Sequence, residues 1–439
     1  MIEQAAPEMY ILDSTPAVIR VCIVFAAILF AIRKKLSLGN AFLLGALLLS
    51  LLFTMPVFNL LAGAGKAVIY PKTLSLALIV SLILILSNSM EQTGHMQRML
   101  DAFKGLIANP RLNLIVFPAL IGLLPMPGGA VFSAPMVKQL GETSNMSGSQ
   151  LSFTNYWFRH IWEYWWPLYP GILLATVLAD VNLALLVSIM CPLTLIAVSF
   201  GYTILKRASS DTPQAKGPRT HRSAKSFWIE LLPILIVIVP GLLMGISLSQ
   251  VVPAITVGKE LGLIIALFLA IGWVAKKNHE SIFRLVKRSA NRELLKMVYM
   301  IFAILVFKEI LEDSGAVEMI SEELIMMNVP IFLITIALPF LVGIITGITV
   351  AFVGSTFPIL IPLIHSLDPT ASLMPYIMLA MTCGFAGVLI SPLHLCLILS
   401  NEYFKADMKS VYRFLWLPCG GLVIVSCLYF FALQPFCGS

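Results

Sequence analysis

Charge is what this sequence has least of. Charged side chains make up 12% of its 439 residues and hydrophobic ones 59%, whereas a soluble domain carries about 25% charge. With a mean hydropathy of +0.93, that balance excludes a soluble core and places the chain among integral membrane proteins. Cysteine is scarce too: the seven cysteines form no CxxC pair and lie mostly in apolar segments. They read as small hydrophobes, which excludes a disulfide framework and a zinc site on spacing alone. The first 16 residues hold no basic side chain, so they lack the positive start of a signal peptide and read as a short tail. No P-loop, HExxH or GxSxG pattern stands in a supporting context, so ATP-driven transport and hydrolysis have no site and the chain reads as no enzyme. The pI near 9.0 points to no nucleic acid, because the basic residues sit in short loops between apolar runs.

What is present in quantity is apolar length. Runs at about 17–33, 38–62, 73–91, 152–179 and 182–205 are long enough to span a bilayer. A polar, basic stretch from Lys206 to Lys225 with Pro213, Gly217 and Pro218 reads as a linker. Runs at about 227–248, 255–275, 295–312, 371–400 and 412–434 follow. Two apolar stretches remain, 111–141 and 331–366, split by Pro125-Met-Pro-Gly-Gly129 and by Thr346-Gly-Ile-Thr349. Their halves, about 12 to 16 residues or roughly 18–24 Å as helix, are short for a span and read as re-entrant hairpins, which membranes tolerate where protein or a watery cavity satisfies the backbone. Pieces at 92–108, 313–327 and 277–294 are amphipathic and read as interfacial helices.

The two halves match in order. Glu91 and Glu312, Gly94 and Gly315, Pro118 and Pro339, and Gly122 and Gly343 share one offset, and Pro135 with Pro358 and Pro167 with Pro392 follow with a small drift. That is the mark of a diverged repeat with insertions. Placing the N-terminus outside puts Arg33 to Lys35, the first hairpin's flanks, the linker, Lys276 to Lys296 and Lys405 to Arg413 in the cytoplasm. Only Lys66, Lys72 and Lys259 fall outside, with Arg20, Arg159 and Lys308 inside spans. The positive-inside rule supports that orientation, with both termini outside and the linker cytoplasmic, in the inner (plasma) membrane. An odd number of spans per half makes the repeats inverted. The expected architecture is therefore an all-α integral membrane protein of two inverted repeats. Residues 1–205 and 226–439 each hold five transmembrane helices and a re-entrant hairpin, joined by the linker 206–225.

One stretch concentrates the anomalies. SFTNYWFRHIWEYWWPLYPGILLATVLA (152–179) carries Arg159, His160 and Glu163 in its first half and Pro167, Pro170 and Gly171 behind them. Charges within a span face a bundle interior or cavity, and broken helices line transporter sites. The helical spacing of Arg159 and Glu163 predicts a pair on one face. The four tryptophans nearby read as packing or interface anchors.

Five spans plus a hairpin, twice over and inverted, resembles the ion transporter superfamily. That group holds divalent-anion/sodium symporters, carriers of citrate, gluconate and four-carbon dicarboxylates, and some sodium/proton antiporters. LPMPGGAVFSAP (124–135) and NYWFRHIWEYWWPLYPG (155–171) look like the sequences of an uncharacterised prokaryotic family within it. The symporters' Ser-Asn-Thr tip signature is absent. Pro-Met-Pro-Gly-Gly and Gly-Ser-Thr (354–356) stand near the corresponding places. The resemblance implies alternating access of an elevator type and a homodimer. The expected activity is secondary transport of a small carboxylate-type anion coupled to sodium or protons, with a sodium/proton antiporter as the alternative. Substrate-binding candidates are Pro127, Gly128, Gly129, Ser133, Asn155, Arg159, Thr349, Ser355 and Thr356. Candidates for the coupling cation are His160, Glu163, Thr346, Gly347, Thr382, Cys383 and Gly384, the last three as a break that frees carbonyls for sodium. Lys308 and Glu312 are expected to pair structurally. Beyond anion, cation and membrane lipid, no cofactor or nucleic acid is expected.

Overall fold

The computed structural model describes residues 15–437 apart from Gly105, Ala108, Pro127, Thr143, Ser144, 209–223, 252–257 and Ala371. Among the described residues every regular element is a helix, since lipid obliges a backbone to satisfy its own polar groups. The fold class is the all-α membrane class that the apolar runs predict. Among the described residues, five helices are long and apolar enough to cross a membrane: Pro71–Gln92, Leu183–Lys206, Ala224–Gly245, Thr349–Leu367 and Met408–Pro435. Most of the linker falls outside the described residues.

The element order recurs. Pro71–Gln92 and Arg292–Asp313 are both 22 residues long. Each ends at a glycine in the left-handed region, Gly94 (φ 69°) and Gly315 (φ 70°), a conformation that glycine adopts at little cost. Each glycine opens a short helix of the kind expected at the interface, His95–Phe103 and Ala316–Met326. A helical hairpin follows in both halves: Pro110–Ile121 with Ala130–Glu142, and Ile331–Thr346 with Thr349–Leu367. A broken helix comes next: Gly148–Arg159 with Pro170–Ala179, and Leu373–Leu389 with Leu395–Tyr403. Ile282–Ser289 supplies the third amphipathic helix, burying Leu285 and Ser289.

Several boundaries differ from the sequence expectation. The run 38–62 is two helices, Leu38–Leu52 and Val57–Ile69, because Thr54 turns left-handed (φ 52°) ahead of Pro56. The second arm of the second hairpin reaches 19 residues, since Pro358 and Pro362 sit inside it without ending it. Leu373–Leu389 runs unbroken through Thr382, Cys383, Gly384 and Gly387. These residues do not interrupt the helix and free no carbonyls. The glycines serve close packing instead: a Cβ at Gly387 would overlap the Phe340 carbonyl, and one at Gly384 the Phe352 ring. Thr382 donates its hydroxyl back to Met378 O at 2.9 Å. The break falls at 390–394, around Ser391-Pro392.

The halves interlock. Ala130–Glu142 and Gly148–Arg159 of the first half pack against Leu395–Tyr403 of the second, and Pro170–Ala179 packs along Thr349–Leu367. Small residues set the approach. A Cβ on Gly122 would overlap the Arg159 carbonyl, and one on Gly343 the Gly384 carbonyl, so each hairpin's first arm lies against the first piece of its broken helix. Polar clamps also join the halves. Glu323 accepts from Ala17 N (2.6 Å) and Val18 N (2.8 Å), capping a helix start with a carboxylate. At another seam Glu230 meets Lys277 Nζ at 2.5 Å, His95 Nε2 at 3.1 Å and Arg98 Nε at 3.5 Å. Lys308 pairs with Glu312 at 2.6 Å as expected, and Glu309 pairs with Lys66.

Candidate functional site

Two hairpin tips and two helix breaks meet in one place, around Arg159, His160 and Glu163. The first break begins earlier than the prolines suggest. Gly148–Arg159 is launched by a capping box, with Ser147 and Gln150 exchanging side-chain and backbone bonds, and it stops at Arg159. His160 to Tyr169 form turns, and Pro170 restarts the helix at its first position, where its missing N–H costs nothing.

The aromatic residues explain how such a break survives in an apolar interior. A helix leaves its last carbonyls without partners, and the hairpin arm Pro110–Ile121 ends near this break. Trp162 Nε1 donates to Ala119 O (2.8 Å), Tyr169 Oη to Gly122 O (2.8 Å) and Trp166 Nε1 to Leu123 O (2.9 Å). Arg159 Nη2 donates to Met126 O at 2.7 Å. Trp157 and Trp165 are likewise spent on Ala197 O (2.9 Å) and Thr194 Oγ1 (2.5 Å). The four tryptophans are packing anchors, as expected: Trp162 and Trp166 fasten the first hairpin to the break, and Trp157 and Trp165 tie the same segment to Pro192–Ala208.

Arg159 is 2% exposed. Its guanidinium lies against Gly129, where a Cβ would overlap Nη2, and next to Gly128, which turns left-handed at φ 72°. Arg159 Nε is buried with no hydrogen-bond partner. The predicted Arg159–Glu163 pair does not form, because the helix that would align them ends at Arg159. Glu163 instead accepts from Thr349 Oγ1 at 2.9 Å and lies 3.6 Å from His160 Nε2. Thr349 starts the second arm of the second hairpin, so this bond ties the first break to the second tip. His160 gives its Nδ1–H to Tyr156 O at 2.6 Å and turns Nε2 toward Arg159 Nη1 at 3.4 Å.

The other candidates divide. Gly347 (φ 64°) makes the second tip and sits against Ser391 and the His394 backbone. Ser133 donates to Asn155 Oδ1 at 2.6 Å, and Asn155 Nδ2 donates to Ala130 O (2.9 Å) and Ser400 Oγ (3.0 Å). That closed network joins the halves behind the site. Thr346, Ser355 and Thr356 donate back along their own helix to Val342 O, Ala351 O and Phe352 O, and Ser355 and Thr356 lie within the second arm, more than a turn beyond its start at Thr349. Pro127 lies outside the described residues. The sequence reading missed His394 and Cys396, which the second break brings beside His160, with His160 and His394 rings 4.8 Å apart and perpendicular. The second break itself is where Ser391-Pro392 marks one in the sequence, and it was the available signal for His394 and Cys396 just beyond it.

The fold has a relative among solved structures: the YdaH transporter of Alcanivorax borkumensis, described as having an unusual topology. It superimposes with a TM-score of 0.60 at 16% identity, covering 88% of this chain and 89% of that one. No curated protein matches the sequence. A family model for proteins of unknown function, DUF401, matches residues 17–433, almost every residue that builds the hairpins, the breaks and the seam between them, and the chain belongs to that family.

Proposed function

We propose that this multi-pass membrane protein is a secondary active transporter that moves a small carboxylate-type anion, coupled to sodium or protons by alternating access. The reading is of a carrier, built as two inverted repeats with re-entrant hairpins and a cytoplasmic linker. The observation that carries it is Arg159. A buried guanidinium with an unpartnered Nε, beside a tip that only glycine leaves open, is poised for a planar anion. Its neighbour Glu163 makes no ion pair with it, so the guanidinium lacks a direct counter-charge and an anion supplies one. Isolated charge at such depth costs ~2.5–3.5 kcal/mol on insertion scales, and a group held at that cost in a broken helix marks a pathway more often than a brace. The solved transporter of like fold lends support at the level of architecture.

Coupling is assigned to the Glu163, His160 and Thr349 group, where a carboxylate from one half is held by a hydroxyl from the other. Binding or loss of a cation at Glu163 would loosen the link between the first break and the second tip. The same feature favours the antiporter as second reading, with Glu163 as the exchange site and no anion. Arg159→Lys separates the two. It keeps the charge but loses the two-pronged geometry, so anion affinity in proteoliposome uptake should fall at least tenfold, about 1.4 kcal/mol, while cation exchange changes little. Unchanged anion affinity in the variant would remove Arg159 from the site.

A further inference from the structure

Beside Arg159, three metal-ligating side chains from the two breaks converge. His160 comes from the first break, His394 caps the helix after the second break, and Cys396 lies in that helix's first turn. One donor atom from each lies within 4.8 Å of the others, and all three residues are buried. Burial of two imidazoles and a thiol together needs partners, because unpaired polar groups in an apolar interior are costly. His394 Nδ1 is buried with no hydrogen-bond partner. His160 has the arrangement of a ligand: Nδ1–H is fixed on the Tyr156 carbonyl at 2.6 Å, which leaves the Nε2 lone pair facing the cluster, and such a bond to the far nitrogen is the usual support of a metal-bound histidine. What now approaches that ring is the Cys396 thiol and Arg159 Nη1 at 3.4 Å, itself a cation, with the Glu163 carboxylate at 3.6 Å.

We propose that His160, His394 and Cys396 bind a zinc-class transition-metal ion where the two helix breaks cross, with Glu163 or water as the fourth ligand. Two imidazoles and a thiolate are a borderline-soft set that suits Zn2+ and excludes Mg2+ and Ca2+. Binding releases the thiol proton, and the thiolate with Glu163 offsets the ion beside Arg159. Donors on a tetrahedral zinc stand about 3.3–3.8 Å apart, given bonds of about 2.0–2.3 Å, so binding draws the two breaks together. It also takes His160 Nε2 from Arg159. Because the breaks belong to different halves, the bound ion cross-links them and holds the carrier in one state.

The test uses full-length protein in detergent, purified without a polyhistidine tag, and Co2+ as the spectroscopic probe, with Zn2+ as competitor. The expected result is one Co2+ per chain with an intense sulfur-to-cobalt charge-transfer band that Zn2+ abolishes. Cys396→Ser should lose the band, and His394→Gln should weaken Co2+ binding at least tenfold with the band retained at saturation. Absence of the band in the wild type, or its persistence in Cys396→Ser, overturns the site. Should Cys396→Ser fail to elute as folded protein, unchanged Co2+ affinity in His394→Gln overturns it equally. Arg159→Lys should keep the cobalt band while losing anion affinity, so the metal site and the anion reading fail separately.

Discussion

At the scale of single residues, two glycines of the first hairpin test the site from opposite sides. Gly122 faces the backbone carbonyl of Arg159 and Gly129 faces its guanidinium. Backbone cannot give way, so Gly122→Ala should destabilise by ~2–3 kcal/mol, seen as a lower melting temperature in detergent. The guanidinium is the far end of a flexible chain, so Gly129→Ala should cost little stability yet dislodge Nη2 from Met126 O, lowering anion affinity about tenfold. A matched loss of stability in both variants would make Arg159 a brace. Arg159, His160, Glu163, Gly128, Gly129 and Thr349 were legible as site candidates because charge and glycine are conspicuous in an apolar run. Ser355, Thr356 and Thr382 donate their hydroxyls to the carbonyl four residues back, a bond that sequence does not distinguish from a place beside a ligand. Cys396 was hidden because His160 lies on another element, and a histidine two residues before a cysteine is by itself no metal motif.

Among elements, the short helix His95–Phe103 carries a pH response. His95 is fully buried, and burial, the largest influence on it, holds its pKa down to about 4 from 6.5 even though Glu230 is adjacent. Its ring is therefore neutral at pH 7. Nε2–H donates to Glu230 O at 2.9 Å, and Nδ1 faces Arg98 Nη2 at 3.2 Å, so its approach to Glu230 is a hydrogen-bond contact and no ion pair. Arg98 and Lys277 also face the group and oppose its protonation. Once opened, the same imidazole titrates near its ordinary value, so opened states bind more protons between pH 6.5 and 4. The contribution of the neutral His95 ring to the seam is fully present above about pH 6.5 and is lost as pH falls toward 4. Hydrogen exchange of residues 95–103 should quicken between pH 7 and 5 beyond the intrinsic trend, and His95→Asn should flatten that excess. An excess that persists in the variant would assign the response elsewhere. Helices of this order were readable from amphipathic spacing and from the glycines that start them. Their breaks were less so, because proline marks where a helix can restart, as at Pro170, more reliably than where the preceding one stops.

Across the whole molecule, the recurring order of elements was visible in the offsets of Gly and Pro, since these residues fix turns and close approaches that side-chain drift leaves alone. How the halves join was not visible, because the interlock depends on which helix lies beside which. That interlock has a consequence for covalent continuity. The first hairpin's second arm rests on a helix of the second half, and the second hairpin's second arm on one of the first, so the described residues form a mutual embrace without the polar stretch 209–223. Severing the chain there should be tolerated. Residues 1–208 and 224–439 produced together as separate polypeptides should co-purify and reconstitute uptake, whereas either alone should be degraded with its half of the seam bare. Failure of the pair to associate would mean that chain continuity, and not the embrace, holds the molecule together. Success would make the protein in effect a heterodimer of its own halves, as two genes later fused would build it.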